Sequence, residues 1–204
     1  MVAAACLIAA AASFSEIQRL KGRIGQLTRH EFHDHSDVRE FIITAAVADV
    51  LDPIFVLGDS ITEMAPLPRK ICGRQVINAG IGGQTIREAE RIAKRVIGER
   101  GAYLVALALG ANDVGSSSVR SDFTALIDAV KPLAKRPPVA LAVTSDPATS
   151  REIAAAAAAR GIDFVTPVLP RGSLMSDYIH YRAAAYEVWV PALEAAITKE
   201  CSEF

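Results

Sequence analysis

The sequence predicts an α/β protein, a three-layer α/β/α sandwich built around a five-stranded, mainly parallel sheet. From Pro53 onward, short apolar runs rich in Val, Ile and Leu alternate with longer amphipathic segments. The runs are almost continuously apolar, which is typical of strands buried on both faces of a parallel sheet. Right-handed crossovers then place the connecting helices in layers on the two faces. The composition agrees, because 51% of the 204 residues are hydrophobic and disordered chains are poor in such residues.

Five apolar runs predict the strands, beginning with IFVLG at 54–58. The other four predicted strands are 75–79, 103–109, 139–144 and 163–168. Between them, apolar residues return every three or four positions, which is the spacing of an amphipathic helix. The helices predicted from that spacing are 84–99, 118–135, 147–160 and about 182–199. The third of them contains six consecutive alanines, the best helix former among the residues.

Residues 1–50 precede this alternation and predict a helical extension, with the α/β domain over 51–204. Residues 2–14 are an uninterrupted apolar and small-residue run, VAAACLIAAAASF, shorter than the roughly 20 residues of a membrane span. No basic residue precedes the run, as one would in a signal peptide. Three interpretations stay open: an Ala-rich helix packed on the domain or a neighbour, a membrane anchor or signal segment, and a disordered tail. Localisation also stays open: cytoplasmic, or membrane-anchored or periplasmic if residues 2–14 act as a signal or anchor. The oligomeric state stays open too.

The rest of the extension predicts two helices and a connector. Residues 16–29 are amphipathic, with apolar side chains at helical spacing on Ile17, Leu20, Ile24 and Leu27. The stretch HEFHDH at 30–35 lacks the HExxH spacing of a zinc protease helix, because Asp34 stands four residues after His30. We therefore expect a solvated connector there, followed by a helix over 37–51.

Charge and cysteine content argue against several classes of protein. The chain has 22 basic and 23 acidic residues, and a formal net charge of -1 argues against a protein built to bind nucleic acid. The three cysteines, at 6, 72 and 201, form no CxxC pair and no regular spacing. We therefore expect neither a disulfide framework nor a structural zinc site.

Polar clusters follow four of the predicted strands. In an open parallel sheet, ligands bind outside the carboxyl ends of the strands, so these clusters should meet at one edge. They are GDSITE at 58–63, NAGIGGQT at 78–85, GAND at 110–113 and DYIH at 177–180. Their convergence predicts a single polar site, and carries more weight than any one motif.

The residue types in these clusters suit nucleophilic catalysis. Ser60 follows a strand where a helix begins, but a serine hydroxyl is a weak nucleophile and needs a base. His180 is the only histidine of the α/β part, and Asp177, three residues earlier, can orient its ring. The backbone amides of Ser60 and Gly83 and the side-chain amide of Asn112 can donate hydrogen bonds to an oxyanion.

Two of the clusters also have a purely structural interpretation, and the glycine cluster has another functional one. The Gly-Asp-Ser at 58–60 is compatible with a simple turn and helix cap, and the Asn-Asp pair at 112–113 with a capping pair. The glycines at 80–83 nearly fit the GxGxxG dinucleotide loop, but Thr85 replaces its last glycine. The GxSxG elbow is absent because Thr62 stands where its second glycine would be.

As an ordered set, the four clusters resemble the motif blocks of the SGNH hydrolases, also called GDSL esterases, over roughly residues 53–197. GDSITE followed by NAGIGGQT is similar to small bacterial acetyl esterases and platelet-activating-factor acetylhydrolase-like members. The resemblance implies a flavodoxin-like fold and ester hydrolysis without metal or cofactor. It implies Ser60 as nucleophile, His180 as general base and acid, and Asp177 as third triad member. It also implies an oxyanion hole made by Ser60, Gly83 and Asn112.

The resemblance therefore implies a serine esterase for small-molecule esters, acting on short, acetyl-like acyl groups through an acyl-enzyme. The same triad serves an alternative, an acyl or acetyltransferase acting on a sugar or glycan. A catalytically silent binding module and a flavin or nucleotide binder are further alternatives. Two positions depart from the family pattern: Tyr178 stands where Gly is frequent after the aspartate, and Tyr181 where Pro is frequent after the histidine.

Overall fold

The computed structural model describes residues 13–21 and 34–202. Its helices are α1 (13–21), α2 (His35–Val47), α3 (Ser60–Glu63), α4 (Ile86–Val96), α5 (Val119–Val130), α6 (Pro147–Ala159) and α7 (Ala183–Ser202). Its strands are β1 (Ile54–Gly58), β2 (Lys70–Ile71), β3 (Arg74–Gly80), β4 (Leu104–Ala108), β5 (Val139–Leu141) and β6 (Phe164–Val165). The predicted strands and the helices between them are all present, with ends that differ by a few residues.

The strands form one sheet in the order β2-β3-β1-β4-β5-β6. All neighbours are parallel except the hairpin of β2 and β3. Numbered among themselves, the five parallel strands have the flavodoxin-like order 2-1-3-4-5. The predicted fold class is therefore confirmed, with one correction to the predicted five strands. The sixth strand, β2, has two residues, too few to produce a recognisable apolar run.

The side chains of β1 divide the core into the two layers of the sandwich. Phe55 and Leu57 face α2, α4, α5 and α6 on one side of the sheet. Ile54 and Val56 face the other side, which α7 covers with the fully buried Trp189. All five residues of β1 are buried, as expected for a central strand with helices on both faces.

Helix α2 packs on the sheet through Ile43 and Val47, which belong to the same core cluster as β1. It begins at His35 rather than at 37, because the Asp34 side chain accepts a hydrogen bond from the Asp37 amide and caps the helix. The domain boundary near residue 50 stays a prediction. Residues 2–12 and 22–33 lie outside the described residues, and with them most of the expectations for the extension. Within 13–21 and 34–202, no helix is long and apolar enough to cross a membrane.

A disulfide bond joins Cys72, in the turn between β2 and β3, to Cys201 near the end of α7. The expectation drawn from cysteine spacing did not include this bond. The two residues are 129 positions apart, and only the fold brings their Cα atoms to 6.4 Å. The bond ties the hairpin edge of the sheet to the last helix.

Candidate active site

The loop between β1 and α3 holds Ser60 at the carboxyl edge of the sheet. Asp59 is fully buried and caps α3, its Oδ1 accepting from the Ile61 amide at 2.9 Å. Its Oδ2 accepts from the Ala111 amide at 3.2 Å, which joins this loop to the loop after β4. Burial raises the pKa of Asp59 to about 6, although both amide hydrogen bonds lower it. Ser60 is thereby fixed as the first residue of α3, where the backbone amide has no partner within the helix.

The Ser60 hydroxyl is bound directly to His180, which comes from the other end of the chain. Ser60 Oγ lies 2.9 Å from His180 Nε2. His180 Nδ1 lies 2.7 Å from Asp177 Oδ2. The carboxylate accepts a hydrogen bond from Nδ1–H, which leaves Nε2 free to accept a hydrogen bond from the serine. The structure thus brings together the three residues expected to form a triad, across 120 positions of sequence.

Asp177 also shapes the turn that carries the histidine. Its Oδ1 accepts from the amides of Ile179 and His180, each at 3.0 Å. The hydrogen bond from the His180 ring, followed by those two amide bonds, lowers the pKa of Asp177 to about 2. Asp177 is therefore charged at neutral pH.

The loops after β3 and β4 meet beside the serine and carry Gly83 and Asn112 on an exposed rim. The side-chain Nδ2 of Asn112 donates to the Gln84 carbonyl at 3.0 Å, which ties the two loops together next to Gly83. Gly83 has φ +77°, a conformation that glycine adopts without steric cost. The loops that carry the two predicted oxyanion donors are therefore held together by Asn112, next to Gly83.

Solved structures share the fold of this chain, whereas no protein-family model matches the sequence and no curated protein matches it significantly. A lipase/acylhydrolase from Enterococcus faecalis has a TM-score of 0.56 and 18% identity, over 74% of this chain and 95% of its own. The acetylxylan esterase Axe2 from Geobacillus stearothermophilus, as a catalytic mutant, has a TM-score of 0.57 and 16% identity, over 72% and 94%. TesA has a TM-score of 0.58 and 20% identity, over 72% and 98%.

The chain has the SGNH hydrolase fold. The similar structures are covered almost end to end, so the shared part is a whole domain of that fold rather than a fragment.

The two departures from the SGNH pattern have local structural accounts. Tyr178 has φ +58°, the left-handed conformation that favours glycine, and its side chain is 78% exposed beside Asp177. Tyr181 is buried, and its hydroxyl donates to the Val143 carbonyl at 3.0 Å. The first departure therefore places an aromatic ring on the rim of the site, and the second fills the core beneath it.

A cavity of about 430 Å³ lies beside Asp177, between the loop after β5 and the turn that carries His180. Its lining includes the apolar side chains of Ala111, Val114, Val143 and Ile179 together with Tyr178. Ligand sites are commonly concave and mostly apolar with a few polar groups, which fits this position.

Sequence reasoning missed two charged residues at the site, Glu63 and Arg39. The Glu63 carboxylate accepts from the Gly82 amide at 2.6 Å, and Arg39, from α2, lies against the same carboxylate. Glu63 stands three residues after Ser60, and its place in GDSITE was the available signal. Arg39 had no comparable signal, because its helix lies outside the family resemblance.

Proposed function

We propose that this protein is a serine ester hydrolase that works through an acyl-enzyme on Ser60. The observation that carries the proposal is the unbroken chain of hydrogen bonds from Ser60 Oγ through the His180 ring to Asp177. This arrangement gives the hydroxyl a base, and gives the base a fixed orientation. The shared SGNH fold also supports an ester hydrolase.

The proposed reaction has two halves. His180 Nε2 takes the proton of Ser60 as Oγ attacks the ester carbonyl, and Asp177 stabilises the imidazolium that forms. The tetrahedral oxyanion receives hydrogen bonds from the amides of Ser60 and Gly83 and from the Asn112 side chain. His180 then gives its proton to the departing alcohol, and repeats its two roles with a water molecule to cleave the acyl-enzyme.

The oxyanion assignment is compatible with the contacts that Asn112 already makes. A side-chain amide has two N–H donors, and Asn112 uses one for the Gln84 carbonyl. The second N–H remains for substrate, while the first holds the side chain in place. Such fixed donors act most strongly on charge that develops only in the transition state.

We propose that the apolar space beside Asp177 receives the acyl group, which we expect to be short. The cavity of about 430 Å³ lies open next to Asp177 and has the rim residues Val114, Tyr178 and Ile179, each exposed by 47% or more.

Catalytic mutants of the acetylxylan esterase Axe2 carry alanine in place of a serine in one case and an aspartate in another. Those replacements support assigning a serine and an aspartate to catalysis in this chain too.

The test is hydrolysis of p-nitrophenyl acetate, butyrate and octanoate by the full chain, beside Ser60→Ala and the control Ser121→Ala. Ser121 is an exposed serine on α5 that donates to the Ser118 carbonyl. We expect Ser60→Ala to lose about 10⁴-fold or more in kcat, Ser121→Ala to lose nothing, and turnover to fall with chain length.

A fluorophosphonate probe gives a second, substrate-independent readout. We expect it to label the wild type on Ser60 and to leave Ser60→Ala unlabelled. Folded protein that neither turns over esters nor reacts with the probe would overturn the proposal. Product that forms faster with an added sugar acceptor than with water would instead point to acyl transfer.

A further inference from the structure

The Glu63 side chain joins the helix that carries Ser60 to the glycine loop that carries Gly83. Its Oε2 accepts from the Gly82 amide at 2.6 Å and lies 2.9 Å from His35 Nε2. The Glu63 side chain is 19% exposed, so a charged carboxylate there needs partners. Glycines lose more conformational freedom on folding than other residues, so a loop rich in glycine needs such a bond to hold one geometry.

Arg39, on α2, pairs with the Glu63 carboxylate and also binds the glycine loop at the Gly80 carbonyl. Its Nε lies 3.3 Å from Glu63 Oε1, and its side chain is 16% exposed. Its Nε and Nη2 also donate to the Gly80 carbonyl, at 3.1 and 2.9 Å. Nη2 lies 3.4 Å from the Asn78 carbonyl as well, so one guanidinium spans the end of β3 and the carboxylate.

The backbone of β3 packs directly against the backbone of α3 at Gly80, so the contacts of Arg39 act on both elements. A Cβ on Gly80 would lie 2.2 Å from the Glu63 amide nitrogen, so β3 and α3 touch here backbone to backbone. The stretch from Gly80 to Gly83 is therefore held at its start by Arg39 and at Gly82 by Glu63. The next amide along the chain is that of Gly83.

We propose that Arg39 is a positioning residue for the oxyanion loop, acting through Glu63 and the Gly80 carbonyl to hold the Gly83 amide toward the reacting carbonyl. This inference rests on the proposed function. If Arg39 has this role, α2 contributes to the active site although it lies outside the family resemblance. Because Arg39 contacts the loop rather than the substrate, its loss should weaken stabilisation of the transition state and leave substrate binding nearly unchanged.

The chain offers a matched control on the same helix. Glu40, the neighbouring residue, pairs with Arg95 of α4 and therefore tethers α2 without touching the loop. Arg39→Gln and Glu40→Gln each remove one charged contact that attaches α2, but only the first removes the contacts with Glu63 and with the Gly80 carbonyl. A difference between them reports on the loop rather than on the attachment of the helix.

The kinetic experiment measures kcat and KM on p-nitrophenyl acetate for Arg39→Gln, Arg39→Lys and Glu40→Gln. We expect Arg39→Gln to lower kcat by about 10- to 100-fold with KM within twofold, because it removes an effect felt in the transition state. Arg39→Lys should recover part of the loss, and Glu40→Gln should stay within twofold of wild type. Equal losses in Arg39→Gln and Glu40→Gln, or a change confined to KM, would overturn the proposal.

Amide hydrogen exchange tests the same contact without using activity. We expect the amides of residues 80–84 to exchange faster in Arg39→Gln than in wild type, and Glu40→Gln to leave them unchanged. Unchanged exchange in Arg39→Gln would refute the positioning role even in an active enzyme. Faster exchange in a protein that hydrolyses no ester would refute the proposed function and leave the loop contact standing.

Discussion

The two ends of the sheet use their charged side chains differently. At the carboxyl end, the carboxylates of Asp59, Asp113 and Asp177 all accept hydrogen bonds from backbone amides of the loops around the site. Each of these bonds fixes the course of a loop. The candidate catalytic residues stand on those loops.

At the amino end, the carboxylates of Asp52 and Asp163 pair with cationic side chains, whereas at the carboxyl end Glu63 pairs with Arg39 and also accepts from the Gly82 amide. Asp52 lies 3.1 Å from Arg74 and 2.6 Å from Lys135, and Asp163 lies 2.5 Å from Lys199. These pairs are partly exposed, and exposed ion pairs contribute little to stability. The amino end is held by tethers between elements, whereas the carboxyl end is held in a particular loop geometry.

The sheet therefore carries the candidate catalytic residues at its carboxyl end and attachments between elements at its amino end. Substitutions at the carboxyl end should change activity more than stability, because they move donors and acceptors that act on substrate. Substitutions at the amino end should leave the chemistry intact, and they should lower stability where they remove the disulfide bond more than where they remove an exposed ion pair.

Asp177→Asn should have the largest effect on activity. The asparagine can donate from its NH₂ group to His180 Nδ1. This favours the tautomer that is protonated on Nε2, which cannot accept the Ser60 proton. We expect kcat on p-nitrophenyl acetate to fall by about 10³- to 10⁴-fold, with Tm changed by only a few degrees. A loss of less than tenfold would reduce the triad to a Ser60–His180 dyad.

Asn112→Ala should have the next largest effect. It removes one proposed oxyanion donor and the hydrogen bond to the Gln84 carbonyl, but no triad member. We expect kcat to fall by about 10²- to 10³-fold with little change in KM, measured on the same ester. A rise in KM at constant kcat would instead make Asn112 a contact for the bound substrate.

Cys201→Ser should affect stability and spare activity. The bond from Cys201 to Cys72 closes a long loop, so its loss should lower the free energy of unfolding by about 2–4 kcal/mol. Cys72 precedes β3 and Gly83 follows it, so roughly 20 Å of strand separates the disulfide from the site. We expect urea unfolding at lower concentration and unchanged kcat.

The disulfide prediction has its control in the wild type, where a reducing agent should produce the same loss of stability. Should Cys201→Ser lower kcat as strongly as Asn112→Ala does, the separation of chemistry and attachment between the two ends would be wrong.

Local sequence patterns predicted most of the fold. The apolar runs were long enough to mark β1, β3 and β4, and the four polar clusters fell at the ends of their strands because chain order in a parallel sheet places them there. Ser60, Asp177 and His180 could be named because each belongs to a motif readable within a few residues. Their catalytic roles remain predictions, although the structure places the three side chains within hydrogen-bond distance.

What the sequence did not reveal depends on contacts between distant positions. Cys72 and Cys201 have no spacing that marks them as partners, and β2 is too short to stand out as an apolar run. Arg39 meets Glu63 and Gly80 only because α2 packs across the end of β3. A charged residue on an amphipathic helix is usually a solvated one, so the pattern alone gave no reason to place Arg39 at the site.

The smallest expected effect is a difference in the pH dependence of stability between Asp59 and Asp52. Burial raises the pKa of Asp59 to about 6, so the folded state binds this proton more tightly than the unfolded state, and acidification from pH 7.5 to 5.0 favours folding through Asp59. The hydrogen bond from Lys135 is the main cause that lowers the pKa of Asp52, so its contribution is present above pH 4 and disappears on further acidification.

Urea unfolding of the wild type and Asp59→Asn at pH 7.5 and 5.0 measures this difference. The wild type should gain about 1 kcal/mol relative to Asp59→Asn between the two pH values, since the variant cannot take up that proton. The change between pH values matters more than either absolute value, because asparagine offers no second acceptor for the Ala111 amide. Parallel pH dependence in the two proteins would show that Asp59 titrates as an ordinary carboxyl group, and that the two ends of the sheet do not differ in this respect.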